Sequence, residues 1–119
     1  MSPPLVLIVE DEFLVRLLAV SLLEEAGFST IQAGSADEAI ALLEARKDIR
    51  VVFTDINMPG SMDGLRLAHA IRYRWPPIEL VLTSGHIRVG KEDMPERGLF
   101  LAKPYEATEL VRTVRSLVH

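Results

Sequence analysis

Three stretches of this chain are apolar at nearly every position: Leu5–Val9, residues 51–56 and residues 78–83. A strand with one wet face alternates apolar and polar side chains. An almost unbroken run of Val, Ile, Leu and Phe instead suits a strand covered on both faces, as in a parallel sheet with crossover helices above and below. Between the runs the spacing turns helical. Val15, Leu18, Ala19, Leu22 and Ala26 recur at helical intervals and Gly27 follows as a stop. Ser35-Ala36-Asp37-Glu38 has the form of a capping box, opening a helix through Arg46 with Ala36, Ala39, Leu42 and Leu43 as its apolar stripe. Asp63 can cap a third helix that carries Leu67, Ala70 and Ile71 inward and stops at Trp75-Pro76-Pro77. A last helix from about Glu106 sets Leu110, Val114, Leu117 and Val118 on one face. Weaker strands are expected at 28–33 and 99–102. Strands alternate with helices throughout, which predicts a doubly wound α/β domain with right-handed crossovers.

One connection breaks the pattern. Between 86 and 98, Gly90, Pro95 and Gly98 interrupt any helix. An interior glycine costs a helix about 1 kcal/mol and an interior proline about 3, with only Ile87, Val89 and Met94 as apolar anchors to offset them. A short or irregular fourth helix is expected there, and with it the least stable connection in the domain.

At 119 residues the chain is expected to form one domain, 1–119. The absence of cysteine excludes disulfides, thiolate metal sites and cysteine nucleophiles. A net charge of −4 and the lack of a basic, aromatic-interleaved stripe argue against a nucleic-acid surface. Met1-Ser2-Pro3-Pro4 carries no basic leader, and Leu5–Val9 is too short for a membrane span, so no membrane partner and a cytoplasmic location are the expectation.

In a parallel sheet every strand's C-terminal end reaches the same rim, where ligands bind. Here the strand ends bring Glu10 and Asp11, Asp55, Thr83 and Lys103 to that rim. Each alone reads as a cap or a solvated loop residue; four strands ending this way do not. Clustered carboxylates repel unless a cation or protons join them. Oxygen donors without His or Cys suit a hard cation, and Mg²⁺ best, because it keeps several waters. A lysine and a hydroxyl beside it suit the oxygens of a transferring phosphoryl group, with Asp55 as carboxylate nucleophile.

Glu10-Asp11, Asp55 with Met58-Pro59-Gly60 behind it, Asp63-Gly64, Thr83-Ser84 and Lys103-Pro104 follow one another in an order that resembles the receiver domain of bacterial response regulators, the family of the chemotaxis regulator. The resemblance covers essentially the whole chain. It implies a flavodoxin-like, five-stranded parallel sheet of order 2-1-3-4-5 with helices on both faces. It further implies that Asp55 accepts a phosphoryl group from a sensor histidine kinase or a histidine phosphotransfer protein. Asp11, Asp55 and the backbone carbonyl of Asn57 would bind Mg²⁺ directly, with Glu10 acting through water. Lys103 would pair with a phosphoryl oxygen, and Thr83 would bond to another and move on phosphorylation. Phe100 occupies the switch-aromatic position, beside the bland reading of an ordinary core or surface phenylalanine. The surface at 84–104 would then change for a downstream protein target. The domain would be no enzyme beyond self-catalysed phosphoryl transfer and dephosphorylation at Asp55. The Lys103-Pro104 bond is expected to be cis, aiming the lysine at the site.

The chain departs from the family pattern in places. Glu10 stands where aspartate is commoner, Ser61 and Met62 lengthen the loop beside the site, and Gly85-His86 could tune dephosphorylation. His69, His86 and His119 read as helix, loop and terminus residues rather than phosphocarriers. Residues 85–91 match the first seven places of a P-loop, but Glu92 takes the place of the required hydroxyl. An aspartyl-phosphate phosphatase would need an acid where Asn57 stands. A receiver-like module that is no longer phosphorylated is the remaining alternative, as is a receiver excised from a hybrid kinase or larger regulator instead of a stand-alone regulator.

Overall fold

The three apolar runs become the middle of the sheet. In the computed structural model, which describes residues 3–60, 62–85 and 89–118, five parallel strands stand in the order β2-β1-β3-β4-β5. They are β1 (Leu5–Val9), β2 (Ser29–Ala33), β3 (Ile49–Asp55), β4 (Glu79–Ser84) and β5 (Gly98–Ala102). The helices are α1 (Phe13–Glu25), α2 (Ala36–Ala45), α3 (Gly64–Arg74) and α4 (Ala107–Leu117). This is the flavodoxin-like order expected from the sequence. Ser61, His86, Ile87, Arg88 and His119, on which several sequence readings fall, lie outside the described residues.

β1, β3 and β4 are buried almost throughout because both sheet faces are covered. One core lies under α2 and α3 and joins Leu7, Val9, Val52, Leu80 and Leu82 to Leu43, Leu67 and Ile71. The other lies under α1 and α4 and joins Val6, Ile8, Phe53 and Val81 to Leu23, Leu110 and Val114. Ser35 caps α2 by accepting from the Glu38 amide at 3.1 Å, but the Glu38 carboxylate reaches back to the Gly34 amide, one residue before the cap. Asp63 caps α3 through the Arg66 amide at 2.9 Å. Each such cap contributes about 1 kcal/mol. Gly27, at φ +98°, turns the chain after α1 into β2.

The inward face of α1 differs from the sequence reading, while the β4–β5 connection is as irregular as expected. α1 buries Ala19, Val20 and Leu23, whereas Leu18 is 57% exposed. Its sequence FLVRLLAVSLL is apolar all round, so periodicity alone could not choose the inward face. The sheet chose one about a residue away from the expected stripe. Among the described residues the β4–β5 connection holds no α-helix, only a 3₁₀ turn at Lys91–Asp93. The helix-breaking content of 86–98 thus prevails.

That connection makes short-range backbone bonds of its own, such as Asp93 to Gly90 and Gly98 to Pro95, both at 3.0 Å, and side chains from neighbouring elements fasten it further. On α3, His69 Nε2 lies 2.7 Å from the Asp93 carbonyl, and Arg72 donates to the carbonyls of Glu96, Pro76 and Ile78, each at 2.7 Å. Arg97, the only non-glycine residue at positive φ among the described residues, pairs with Glu79 at 3.0 Å. Val89 and Met94 pack against the α2/α3 core, as their apolar character suggested.

Candidate functional site

Sheet register gathers the rim residues. Val9 stands beside Thr54, Asp55 beside Thr83, and Thr83 beside Leu101. The residues just beyond these positions therefore leave the sheet together. β1 runs into Glu10 and Asp11, β3 ends on Asp55, and β5 runs into Lys103.

At the centre is an ammonium shared by two carboxylates. Lys103 Nζ lies 2.9 Å from Asp55 Oδ2 and 3.1 Å from Glu10 Oε1. The Lys103–Pro104 peptide is cis, as expected, and the Lys103 amide donates to the Ser84 carbonyl at 3.1 Å. Glu10 and Asp55 are buried, 5% and 6% exposed, so their charges are held in a poorly screened place. Burial is the main cause that pushes the Glu10 carboxyl up to about 7, against the Glu12 amide and Lys103, which favour its charged form. Burial pulls the Lys103 ammonium down, but hydrogen bonds and charge from Asp55 and Glu10 outweigh it and leave its pKa above the ordinary value. Tyr105, edge-on to Phe53 with ring centres 5.8 Å apart, closes the apolar side, and burial raises its phenol.

Each acid has a distinct anchorage. Asp55 Oδ1 accepts from the Asn57 amide at 3.1 Å. Glu10 Oε2 accepts from the Glu12 amide at 3.1 Å. Asp11 is exposed, and no side-chain hydrogen bond of its carboxylate is found among the described residues. Even so, one oxygen from each of Glu10, Asp11 and Asp55 lies within 4.8 Å of the other two. At that separation two unit charges repel by about 3–4 kcal/mol at an effective dielectric of about 20. Even with Glu10 partly protonated near neutral pH, the carboxyl groups outnumber the single ammonium, an all-oxygen set that fits a hard divalent cation such as Mg²⁺.

Thr83 is buried next to Asp55, but its hydroxyl is turned away and donates to the Leu101 carbonyl at 2.6 Å. Phe100 stands on β5 opposite Leu82 and is exposed, outside the acidic cluster. Sequence reasoning missed three supports. Ser84 Oγ donates to Asn57 Oδ1 at 3.0 Å and ties the ends of β3 and β4 together. Gly64 packs so tightly under the end of β3 that a Cβ there would overlap the Asp55 carbonyl, a demand that the bare Asp63-Gly64 pair does not reveal. Arg16 donates to the Glu10 carbonyl at 2.7 Å. Its only signal was an isolated cation in the apolar run of α1.

Comparison with known proteins agrees with this fold. The response regulator receiver domain family matches residues 6–115. The nitrogen assimilation regulatory protein NtrX of Azorhizobium caulinodans is 36% identical over 110 residues, 89% of this chain and 24% of that protein. The sensor kinase CckA of Brucella abortus is 33% identical over 121 residues, 95% of this chain but 12% of that protein. The chain therefore spans a quarter or less of the length of these relatives. A crystal structure of a response regulator receiver protein from Sinorhizobium medicae superposes with a TM-score of 0.90 at 28% identity, covering 97% of this chain and 94% of that one. No helix among the described residues is long and apolar enough to cross a membrane. The family is a signalling module and not an enzyme in the ordinary sense, and its members serve two-component systems. On a match that spans nearly all of its length, this chain belongs to the response regulator receiver domains.

Proposed function

We propose that Asp55 is the phosphoacceptor, taking a phosphoryl group from the phosphohistidine of a sensor histidine kinase or histidine phosphotransfer protein. The observation that carries this is the Lys103 ammonium bridging Asp55 and Glu10 beside Asp11, at the ends of separate strands. An oxygen of the Asp55 carboxylate attacks phosphorus, the phosphorus–nitrogen bond breaks, and the imidazole leaves with the bonding electron pair and takes up a proton. Mg²⁺, when bound, would supply charge neutralisation for the phosphoryl oxygens, held by Asp11, Asp55 and the Asn57 carbonyl, with Glu10 acting through water. Lys103 is already within hydrogen-bonding distance of Asp55 and would follow the incoming oxygens as a mobile ammonium. Glu10, tied to the Glu12 amide, limits how far that ammonium strays.

Thr83 supplies the switch. Its hydroxyl must release the Leu101 carbonyl to reach a phosphoryl oxygen, which perturbs β5 directly. Phe100, the neighbour of Leu101 on an exposed edge, is placed to respond, so the surface from 84 to 104 would present two states to a downstream protein target. The setting is the cytoplasm, where histidine kinases deliver phosphate. Incubation with acetyl phosphate and Mg²⁺ should add one phosphoryl group by intact mass, and Asp55→Asn should abolish it. Equal labelling of the Asp55→Asn protein would refute the assignment.

A further inference from the structure

We infer that Arg16 is a positioning residue for the cation site: it aims Asp11 by holding the peptide that joins Asp11 to Glu10. This rests on the reading of Asp11 as a Mg²⁺ ligand. Asp11 has no side-chain bond to orient it among the described residues, so its place beside Asp55 is set by its backbone. That backbone is gripped from two sides. The Glu10 amide donates to the Ala33 carbonyl of β2 at 3.1 Å, and the Glu10 carbonyl accepts from Arg16 Nη1 at 2.7 Å. The first bond merely extends the sheet by one residue. The second comes from a charged side chain, and a charge-assisted bond of this length is among the stronger ones a loop carbonyl can receive.

The guanidinium is itself held in place. Arg16 Nε donates to Gln32 Oε1 on β2 at 3.0 Å, and its carbon lies 5.6 Å from the centre of the Phe13 ring. Gly34 lies close beside the fork: a Cβ there would sit 3.3 Å from Nη1, a tight contact that would nudge the guanidinium. Two donors, on Nε and Nη1, thus serve two acceptors, one on β2 and one in the β1–α1 loop, a task for a planar fork and not for a single ammonium. The β1–α1 loop is clamped to β2, and the carboxylate that follows it is carried along.

The affinity for Mg²⁺ alone, without a phosphodonor, tests this. It is read from the amide shifts of Glu12 and Asn57 as MgCl₂ is added to wild type, Arg16→Met, Arg16→Lys and Gln32→Ala. Loss of a residue that orients a metal ligand weakens binding by about 10-fold or more, so Arg16→Met should show that loss. Arg16→Lys should not restore affinity, and Gln32→Ala should weaken it by a smaller factor. Wild-type affinity in Arg16→Met, or full rescue by lysine, would overturn the inference, because charge or fold stability alone would then suffice. Melting in EDTA, run alongside, separates a loosened fold from a misplaced ligand; if Arg16→Met is too unstable to titrate, Arg16→Lys and Gln32→Ala decide on the same criterion. If wild type shows no Mg²⁺ response at all, the reading of the site fails first and the role of Arg16 falls with it.

Discussion

The acids at the rim are not equivalent, although all three are carboxylates within 4.8 Å of one another. Glu10 is buried, shares Lys103 and accepts from the Glu12 amide, so its two oxygens are already engaged. Asp11 is exposed, with no side-chain hydrogen bond among the described residues, which leaves it available to a cation. Charge removal at the two positions should therefore have unequal consequences. Asp11→Asn is expected to cut the rate of labelling by acetyl phosphate by about 100-fold or more, the upper range for losing part of a metal site, and Glu10→Gln by about 10-fold. Initial rates at fixed Mg²⁺ measure this, and equal losses would show that the division between direct and water-mediated roles is wrong. The gathering of Glu10, Asp11, Asp55, Thr83 and Lys103 at one rim was legible in the sequence because each follows an apolar run, and a buried parallel strand delivers its C-terminal end there. Arg16 and Gly64 were not, since one acts through a backbone carbonyl and the other through the absence of a Cβ. Neither effect leaves a periodicity or a motif.

Among the elements, the β4–β5 connection differs most from its neighbours. Gly90 and Pro95 make a helix costly there, and the described residues have only the 3₁₀ turn. What the local sequence withholds, α3 supplies: Arg72 donates to the Glu96 carbonyl, and His69 reaches the Asp93 carbonyl. These contacts join residues far apart in the chain, which is why helical spacing could announce the break but not the fastening. The same limit held in α1, where an all-round apolar sequence hid which face turns inward. Hydrogen bonds to a charged group contribute about 1.5–3 kcal/mol each, so the loss of Arg72 should free the segment without unfolding the sheet. In Arg72→Met, amide exchange between residues 89 and 98 should quicken by about 10-fold or more, while amides of β1 and β3 hold their protection. Unchanged exchange in 89–98 would mean that the packing of Val89 and Met94, with the His69 and Arg97 contacts, holds the connection without Arg72.

For the whole molecule, the site and the fold pull in opposite directions. The sheet that brings Asp55, Glu10 and Asp11 to one edge also presses carboxylates together, two of them buried, and one lysine does not balance them. A cation that binds only the folded arrangement stabilises it by RT ln(1 + [L]/Kd), about 1.4 kcal/mol at ten times the dissociation constant. In a domain of 119 residues that raises the melting temperature by roughly 4–8 °C. Wild-type protein should therefore melt higher in MgCl₂ than in EDTA by about this much. Asp11→Asn should melt slightly higher than wild type in EDTA, because one repelling charge is gone, and should gain almost nothing from MgCl₂. The two effects have opposite signs in one variant, so general destabilisation cannot imitate them. A melting temperature of wild type that ignores Mg²⁺, or an Asp11→Asn protein that responds as fully as wild type, would mean that the acidic rim does not hold the cation and that its charges are balanced in some other way.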